Sequence, residues 1–408
     1  KRPEGHPQLQ TSSFQQVVAD RKSLPWRNCC HNQLLDSRMS GYVDVTIFKS
    51  MNSTQLYKVI GLMSGTSLDG VDIAYCIFRY DTGWSFELEA AQTISYSSTW
   101  SNKLKNAHTL SAEKLLALDA EYGSYLGKLC DSFIKKNKIE GLHFIASHGH
   151  TIFHQPKNKF TYQLGNGNAL HAASSLPVIY DFRSLDVLYG GQGAPLVPVG
   201  DKLLFHEYDV CLNLGGIANL SLDHKKERVA YDVCFLNMGL NYLAQSMNKK
   251  FDADGALAGK GEINTSLLKK LNQVYASTRT RRPSLGRELF EAKIKKLLDD
   301  RKISTADKLR TFTESAAAEI VTAIKKYGKG RTVLCSGGGA FNSFLIYRMV
   351  ELAGDDITFV IPDEAIINFK EAIVFAFLGV LRIRNEANSL KSVTGASRDS
   401  SGGVMVGF

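Results

Sequence analysis

Two stretches of the sequence share one arrangement, in which an apolar strand, a glycine turn and a second apolar strand follow one another. The first runs from Tyr57 to Phe78 and the second from Tyr208 to Asp223. Mixed strand and helix patterns follow each of them. We therefore predict an internal duplication that folds into two similar α/β lobes. A cleft between two such lobes is where a ligand usually binds.

The length of the chain agrees with this division, since 408 residues are too many for one ordinary hydrophobic core. We assign residues 54–204 to the first lobe, residues 205–390 to the second lobe and residues 391–408 to a Gly/Ser-rich C-terminal tail. Residues 1–53 are polar and show no sustained hydrophobic period, which is typical of a disordered N-terminal extension. A functional arm is the alternative for this segment.

The charge of the chain argues against some classes of protein. Lysine and arginine number 49 against 40 aspartates and glutamates, and the net charge of +9 includes +3 from residues 1–53. Because no Lys/Arg block and no aromatic–basic repeat occurs, a small anionic ligand is favoured over a nucleic acid. The longest apolar stretch, Ala372 to Leu381, is too short to span a membrane.

The seven cysteines indicate a reducing compartment. Their number is odd, most lie within apolar runs, and no two have the C-x-x-C spacing of a zinc site. We therefore predict a cytoplasmic protein without a disulfide framework.

The first glycine turn, Gly65-Thr66-Ser67-Leu68-Asp69-Gly70, has two interpretations. Glycines allow a tight turn and the close approach of a ligand, and consecutive backbone N–H groups in such a turn can bind a phosphate. A plain β-hairpin turn is the alternative, because Asp-Gly favours hairpins. The turn alone leaves both interpretations open.

Two further glycine turns favour the phosphate interpretation. Gly215-Gly216 joins two strands of the second lobe, and Gly337-Gly338-Gly339 follows a strand and precedes a helix, whose N-terminus can bind phosphate. Three such turns in two similar lobes predict a nucleotide held between the lobes. The P-loop pattern is absent, which excludes a P-loop NTPase. The residues predicted to bind the nucleotide are Gly65, Thr66, Ser67, Leu68, Asp69, Gly70, Val71, Asp72, Gly215, Gly216, Gly337, Gly338, Gly339 and Asn342.

The segment Val59–Asp72 resembles the opening of the anhydro-N-acetylmuramic acid kinases, which belong to the actin and hexokinase superfamily. The similarity extends over about residues 57–400. It implies the actin/hexokinase-like (ribonuclease H-like) α/β fold, with two similar lobes and a central cleft for nucleotide and sugar. The other segments that carry the similarity are Ser147–Thr151, Asp181–Arg183, Gly190–Pro198, Leu212–Leu220, Gly286–Glu288, Gly337–Asn342, Glu371–Ala372 and Val393–Ala396.

The resemblance implies an ATP-dependent kinase of peptidoglycan recycling. Members of this family use ATP and water to open the ring of 1,6-anhydro-N-acetylmuramic acid and to phosphorylate its 6-oxygen, which gives N-acetylmuramic acid 6-phosphate. ATP, Mg²⁺, the anhydro sugar and water are the implied cofactors and partners, without nucleic acid or membrane, and a homodimer stays open. The alternatives are a kinase of another sugar or anhydrosugar, and a degenerate protein that binds nucleotide or muropeptide without turnover.

Asp181 is the candidate catalytic base. It ends an apolar strand, which would project its carboxylate into the cleft from a rigid support. Arg183, two residues later, would keep a nearby carboxylate ionised. From the residues alone, an aspartate that caps the following turn is the alternative. The resemblance implies that Asp181 accepts the proton of the attacking water, and Asp186 is the rival carboxylate.

Polar residues near the end of another short strand form a second candidate group. His148 and His150 could suggest a metal site, but no third ligand lies nearby, so hydrogen bonding is favoured.

Glu371 lies in an otherwise apolar helix and needs a partner, which is either a sugar group or a basic residue. The residues that the resemblance places at the sugar are His148, Gly149, Thr151, Arg183 and Glu371.

One segment departs from the family pattern. Most members carry Tyr-Asp-Thr-Gly-Pro-Gly-Asn where this chain has Tyr231-Asp232-Val233-Cys234-Phe235-Leu236-Asn237. The glycine turn is therefore missing, although Asp232 and Asn237 remain. The change indicates either a variant of the lineage or a partial loss of activity.

The sequence does not single out a ligand for the metal. Met63 stands where other kinases of the superfamily have a phosphate-loop aspartate, a feature that the resembled family shares. Asp69, Asp72 or Asp181 would then organise Mg²⁺, which would be bridged through ATP.

Overall fold

Two β-sheets form the framework of the protein in the computed structural model, which describes residues 55–281 and 284–408. The predicted extension 1–53 lies outside the described residues. The strands of the first sheet are β1 (Gln55–Ser64), β2 (Gly70–Tyr80), β3 (Trp84–Ser95), β4 (Phe144–Gln155), β5 (Phe160–Leu164), β6 (Val178–Tyr180) and β12 (Val404–Val406). The strands of the second sheet are β7 (Val210–Leu214), β8 (Ile217–His224), β9 (Glu227–Phe235), β10 (Arg331–Ser336) and β11 (Ile357–Val360).

Both sheets repeat the same order and direction of strands. In the first, β1, β2 and β3 form an antiparallel meander, β4 joins β1 in parallel and β6 joins β4 in parallel. In the second, β7, β8 and β9 form the meander, and β10 and β11 follow in parallel in the same positions. The first sheet adds β12 beside β6, and β5 beside β4. The repeat confirms the predicted α/β fold with two similar lobes.

Helices cover these sheets, and several begin at a side chain that caps them. The hydroxyls of Ser97 and Ser304 and the amide oxygen of Asn342 each accept a hydrogen bond from a backbone N–H of the first turn. A π-helical turn, Phe290–Ile294, joins the short helices Arg287–Leu289 and Lys295–Leu298. The helices are α1 (Ser98–Asn106), α2 (Ala112–Asn137), α3 (Gly167–Ser174), α4 (Ser184–Leu188), α5 (Val197–Leu204), α6 (Asn237–Gln245), α7 (Thr265–Arg281), α8 (Arg287–Leu289), α9 (Lys295–Leu298), α10 (Thr305–Lys325), α11 (Ser343–Ala353), α12 (Glu364–Ile383) and α13 (Lys391–Thr394).

Helix α12 joins the two halves of the chain. It packs on β1, β2 and β4 of the first sheet, and the same buried cluster includes Cys211 and Leu334 of the second sheet. A Cβ on Gly61 would lie 2.0 Å from the carbonyl oxygen of Ala372, so the helix can approach β1 only at a glycine. Among the helices of residues 55–281 and 284–408, none combines the length and apolarity that a bilayer crossing requires.

Two elements that come late in the chain therefore complete the first sheet. Helix α12 falls within the predicted second lobe, 205–390, and β12 falls within the predicted tail, 391–408, where it pairs with β6. Contacts between residues so far apart leave no local pattern in a sequence. The division into 54–204 and 205–390 stays a prediction, and it does not account for the return of α12 and β12 to the first sheet.

Candidate active site

The first glycine turn connects β1 to β2 and faces solvent. Thr66, Ser67 and Asp69 are exposed, and Leu68 has a positive φ of 62°. Val71 is fully buried in the strand that follows, so only its backbone is available to a ligand. An exposed turn of this kind presents hydroxyl and backbone N–H groups, which phosphate binding requires.

The two ends of this turn differ in their surroundings. Gly65 opens it beside Ser67, whereas a Cβ on Gly70 would be 2.4 Å from the carbonyl oxygen of Ile94. Next on β2, Asp72 accepts a hydrogen bond of 2.6 Å from the hydroxyl of Thr93. Burial raises the pKa of Asp72, the bond from Thr93 opposes that shift, and the neighbouring Asp69 adds to it.

The second and third glycine turns lie against each other at the carboxyl ends of β7 and β10. A Cβ on Gly337 would be 2.3 Å from Asn213 Oδ1, and a Cβ on Gly339 would be 2.8 Å from the carbonyl oxygen of Leu214. Asn237 Nδ2 donates to that same carbonyl oxygen at 2.9 Å. The structure therefore brings together two of the three turns that the sequence predicts to hold a nucleotide.

The remaining predicted nucleotide residues lie in different surroundings. Gly215 and Gly216 form the β7–β8 turn, and no described atom lies within 4 Å of the position that a Cβ on Gly216 would take. Gly338 is similarly open, with Asn237 Nδ2 at 3.9 Å. Asn342, by contrast, is buried, and its Oδ1 accepts from the N–H of Leu345 at 2.9 Å. Its amide therefore caps α11.

The segment that departs from the family pattern is packed into the second lobe. Val233, Cys234, Phe235 and Leu236 are all buried in its core. The N–H of Leu236 donates to the carbonyl oxygen of Gly216 at 2.9 Å, which anchors the second glycine turn. Apolar packing therefore holds the end of β9 and Leu236 in the place where the family pattern has a glycine turn.

Asp181 follows β6 in a left-handed backbone conformation, with a φ of 55°. This conformation is uncommon for a residue other than glycine, and such residues are enriched at functional sites. Its Oδ1 accepts from the N–H of Ser184 at 3.1 Å, so the capping role considered for it is present. In the described part of the chain, Oδ2 makes no hydrogen bond.

The rival carboxylate, Asp186, is engaged on both oxygens. It is 1% exposed, and its Oδ1 accepts from the hydroxyls of Ser389 and Thr394 at 2.6 and 2.7 Å. Its Oδ2 accepts from the N–H of Gly193 at 2.7 Å. These three bonds engage the buried carboxylate within the protein, where it holds the loop before α5 against the C-terminal segment.

Arg183 is held by a neutral histidine. Its Nε and one terminal nitrogen donate to His148 Nε2 at 3.0 and 2.9 Å, and the other donates to the carbonyl oxygen of Gly193 at 2.6 Å. Since a guanidinium only donates, His148 Nε2 must be unprotonated, and its Nδ1 donates to the carbonyl oxygen of Gly149 at 2.8 Å. Burial, then Arg183, holds the pKa of His148 well below its usual value.

This pairing differs from the one expected from the sequence. Among the described residues, Arg183 bonds to His148 and Gly193, and no ion pair joins it to Asp181. Burial lowers the pKa of Arg183 to about 10, and the charges of Glu371 and Asp186 oppose that shift. His148 is buried and holds Arg183, which lies close enough to Glu371 and Asp186 for their charges to act on it.

Glu371 lies on α12 and is exposed to solvent. Desolvation by the surrounding protein nevertheless raises its pKa. Arg183 opposes the shift and Asp72 adds to it, so these three charges lie near one another. The structure thus places the predicted sugar residues Glu371 and Arg183 beside Asp72 of the phosphate-turn strand.

The remaining residues predicted at the sugar lie on β4. Gly149 has a φ of 72°, and a Cβ there would be 2.3 Å from the carbonyl oxygen of Leu164, so strand packing alone requires this glycine. Thr151 is half-buried and accepts from Gln163 Nε2. The side chains of Ser64 and Tyr96, which were not predicted as site residues, are hydrogen-bonded to each other. The available signal in the sequence was a serine at the end of a buried strand.

The residues present suit a magnesium ion that is bound mainly through nucleotide phosphates. Among the described residues, no three His, Cys, Asp or Glu side chains converge as a metal site. Asp69 and Asp72 do offer carboxylate oxygens beside the first glycine turn, and Mg²⁺ prefers such hard ligands together with phosphate oxygens.

A duplicated α/β fold with glycine turns at the carboxyl ends of strands in both sheets is the architecture of a two-lobed ligand-binding protein. The sequence profile of the family "AnmK: Anhydro-N-acetylmuramic acid kinase" matches residues 57–407. This chain belongs to the anhydro-N-acetylmuramic acid kinase family.

Individual relatives agree with that assignment. An anhydro-N-acetylmuramic acid kinase of Sulfurimonas denitrificans is 34% identical over 364 residues, which cover 84% of this chain and 97% of the relative. One of Vibrio parahaemolyticus is 33% identical over 373 residues, with 87% and 99% covered. Among solved structures, the activator of the 2-hydroxyisocaproyl-CoA dehydratase from Clostridium difficile with bound ADPNP has a TM-score of 0.41 at 14% identity, covering 80% of this chain and 96% of that one.

Proposed function

We propose that this protein is an ATP-dependent kinase that opens 1,6-anhydro-N-acetylmuramic acid with water and phosphorylates its 6-oxygen. The product is N-acetylmuramic acid 6-phosphate, a step of peptidoglycan recycling. The observation that carries the proposal is the family match over residues 57–407. The five described cysteines are free and buried, which supports a place of action in the cytoplasm.

The nucleotide is held by the glycine turns. Backbone N–H groups of Gly65–Asp69 and of the turn at Gly215–Gly216 bind the phosphates, and the turn at Gly337–Gly339 lies against the nucleoside side of ATP. Asp69 or Asp72 would hold Mg²⁺ together with the phosphates of ATP, and the ion would supply neutralisation of the charge on the transferred group. Phosphoryl transfer needs this positioning and neutralisation more than covalent help from the protein.

The sugar reaction needs a base for the attacking water. Asp181 accepts the proton through Oδ2, while its bond from the N–H of Ser184 fixes the carboxylate in place. The water attacks the anomeric carbon, the bond from that carbon to the 6-oxygen breaks, and the 6-oxygen receives the γ-phosphoryl group. Arg183, oriented by His148, and Glu371 bind polar groups of the sugar.

A coupled assay of ADP release tests this function. Purified protein with ATP, Mg²⁺ and the anhydro sugar should release ADP, whereas N-acetylglucosamine and glucose should leave the rate at its background. Equal turnover of a control sugar would favour the alternative of a kinase with another substrate. Binding of ATP and anhydro sugar without ADP release would favour the degenerate binding protein.

A further inference from the structure

The turn predicted to bind phosphate has little internal support. Thr66, Ser67 and Asp69 are exposed, and the N–H of Leu68 donates to the carbonyl oxygen of Gly65 at 3.3 Å. Leu68 also has a φ of 62°, a conformation that costs a non-glycine residue free energy. A strained and exposed turn keeps one geometry only if contacts outside the turn impose it.

Tyr96 makes such contacts at both ends of the turn. This residue directly follows β3, and its N–H donates to the carbonyl oxygen of Asp69 at 3.3 Å. Its hydroxyl lies 2.6 Å from the Oγ of Ser64, the last residue of β1 before the turn. One side chain and its own backbone therefore connect the point where the chain enters the turn to the point where it leaves.

Tyr96 belongs to a longer hydrogen-bonded chain. The hydroxyl of Tyr122 is 2.5 Å from that of Tyr96, and Ser64 Oγ is 2.8 Å from His150 Nδ1. Ser64, Tyr122 and His150 are all buried. We call these four residues the turn clasp.

The clasp has one direction of donation that uses every hydroxyl proton. Burial lowers the pKa of His150 to about 4 and raises that of Tyr96 to about 12, so all four groups are uncharged at neutral pH. If His150 Nδ1 accepts, then Ser64, Tyr96 and Tyr122 each donate to the next member. The opposite direction leaves the proton of Tyr122 without an acceptor in the clasp, so the first arrangement is more stable.

The clasp also connects the Gly65–Asp69 turn, predicted to bind phosphate, to the strand that carries residues predicted to bind the sugar. His150 lies on β4 beside Gly149 and Thr151, which are predicted to face the sugar, and it is the register partner of Ser64. The rings of Trp100 and Tyr125 pack against Tyr122 with centroid distances of 5.5 and 6.1 Å. Packing of this kind limits the movement of the clasp.

We propose that Tyr96 is a positioning residue for phosphoryl transfer, which holds both ends of the Gly65–Asp69 turn in the geometry that binds the phosphates of ATP. This inference rests on the proposed function. Tyr96 acts through Ser64 and the backbone of Asp69.

Tyr96→Phe tests the proposal, with Tyr125→Phe as the matched control. Tyr125 belongs to the same aromatic cluster, but its hydroxyl makes no hydrogen bond among the described residues. Calorimetry with a nonhydrolysable ATP analogue and Mg²⁺ should show about tenfold weaker binding for Tyr96→Phe, since the hydrogen bonds of the Tyr96 hydroxyl to Ser64 and Tyr122 are lost. The KM for ATP should rise in parallel, whereas the KM for the anhydro sugar stays within about twofold. Tyr125→Phe should change neither value by more than about twofold.

A role of Tyr96 in stability alone would lower Tm but leave the Kd of the folded protein unchanged, and that outcome would overturn the proposal. Ser64→Ala removes the clasp residue that bonds to both Tyr96 and His150, and it should weaken binding of the analogue to the same degree even if Tyr96→Phe does not fold. If the wild type binds the analogue but does not phosphorylate the anhydro sugar, the proposed function fails while the comparison of Kd values still decides the role of Tyr96. A wild type that binds no analogue overturns both.

Discussion

Asp181 and Asp186 show how two carboxylates five residues apart can differ in what they are able to do. Asp186 accepts three hydrogen bonds from the protein in a buried position. Asp181 is half-buried, has a left-handed backbone and uses one oxygen for a cap. Sequence spacing could not separate them, because the partners of Asp186 at Ser389 and Thr394 lie some two hundred residues away.

We expect Asp181→Asn to lower kcat by about 10²- to 10⁴-fold, because the amide keeps the shape of the side chain but accepts no proton. The affinity for a nonhydrolysable ATP analogue should change by less than about tenfold, since the glycine turns hold the nucleotide. Steady-state kinetics and calorimetry measure the two effects. Added Mg²⁺ should not restore the rate; partial restoration would identify Asp181 as a ligand of the ion instead of a base.

Asp186→Asn provides the contrast. An amide nitrogen in place of either carboxylate oxygen would face existing donors, so we expect this variant to lose stability, with Tm falling by several degrees. The kcat of the protein that remains folded should fall far less than in Asp181→Asn. If the two variants behaved in the opposite way, the base would be Asp186.

The buried histidines predict how stability depends on pH. His148 and His150 have pKa values below the usual value of about 6.5, so between these values the unfolded chain binds protons that the folded chain does not. Stability should therefore fall as the pH drops below about 6.5, by up to about 1.4 kcal/mol per pH unit for each histidine. Urea unfolding at several pH values measures this slope.

His148→Gln separates the contribution of one histidine. Glutamine can still accept from Arg183 but does not titrate, so the decline in stability below about pH 6.5 should be shallower than in the wild type. His206→Gln, at an exposed histidine, is the matched control and should leave the slope unchanged. Equal slopes in the wild type and His148→Gln would contradict the assignment of a neutral His148.

At the scale of elements, the glycine turns and their flanking strands were the most predictable part. The predicted strand–turn–strand segment from Tyr57 to Phe78 is observed as β1 and β2, and the one from Tyr208 to Asp223 is observed as β7 and β8. Hydrophobic period and turn residues determine such elements. Strand β5 and the short helices α3, α4 and α5 were missed, because their sequences are polar or too short to show a period.

Gly216→Ala tests whether a turn is built for a ligand or only for folding. No described atom lies within 4 Å of the added methyl group, so Tm should stay within about two degrees of the wild type. The same methyl group would occupy the space of a phosphate, and we expect at least tenfold weaker binding of the ATP analogue. Gly83→Ala, in the equally open β2–β3 turn, is the control and should affect neither quantity.

At the scale of the whole molecule, the repeated strand order was predictable and the connection between the lobes was not. Both sheets carry their own glycine turns, so the duplication is visible in the sequence. The return of α12 to the first sheet is fixed by packing, as at Gly61 against Ala372, and by the buried ion pair between Lys370 and Asp201 at 2.7 Å. Neither feature has a local signature, since each joins residues remote in sequence.

The position of α12 predicts how the two lobes move. This helix packs on the first sheet, and its buried cluster reaches Cys211 and Leu334 of the second sheet, so it is the natural pivot for closure around the ligands. Closure would shield the reacting phosphoryl group from bulk water. We expect the ATP analogue together with anhydro sugar to lower the radius of gyration measured by solution X-ray scattering. Gly216→Ala, which should bind the analogue weakly, ought to show no decrease at a concentration that saturates the wild type. Identical scattering of wild type with and without both ligands would contradict closure while leaving the proposed chemistry to the assay of ADP release.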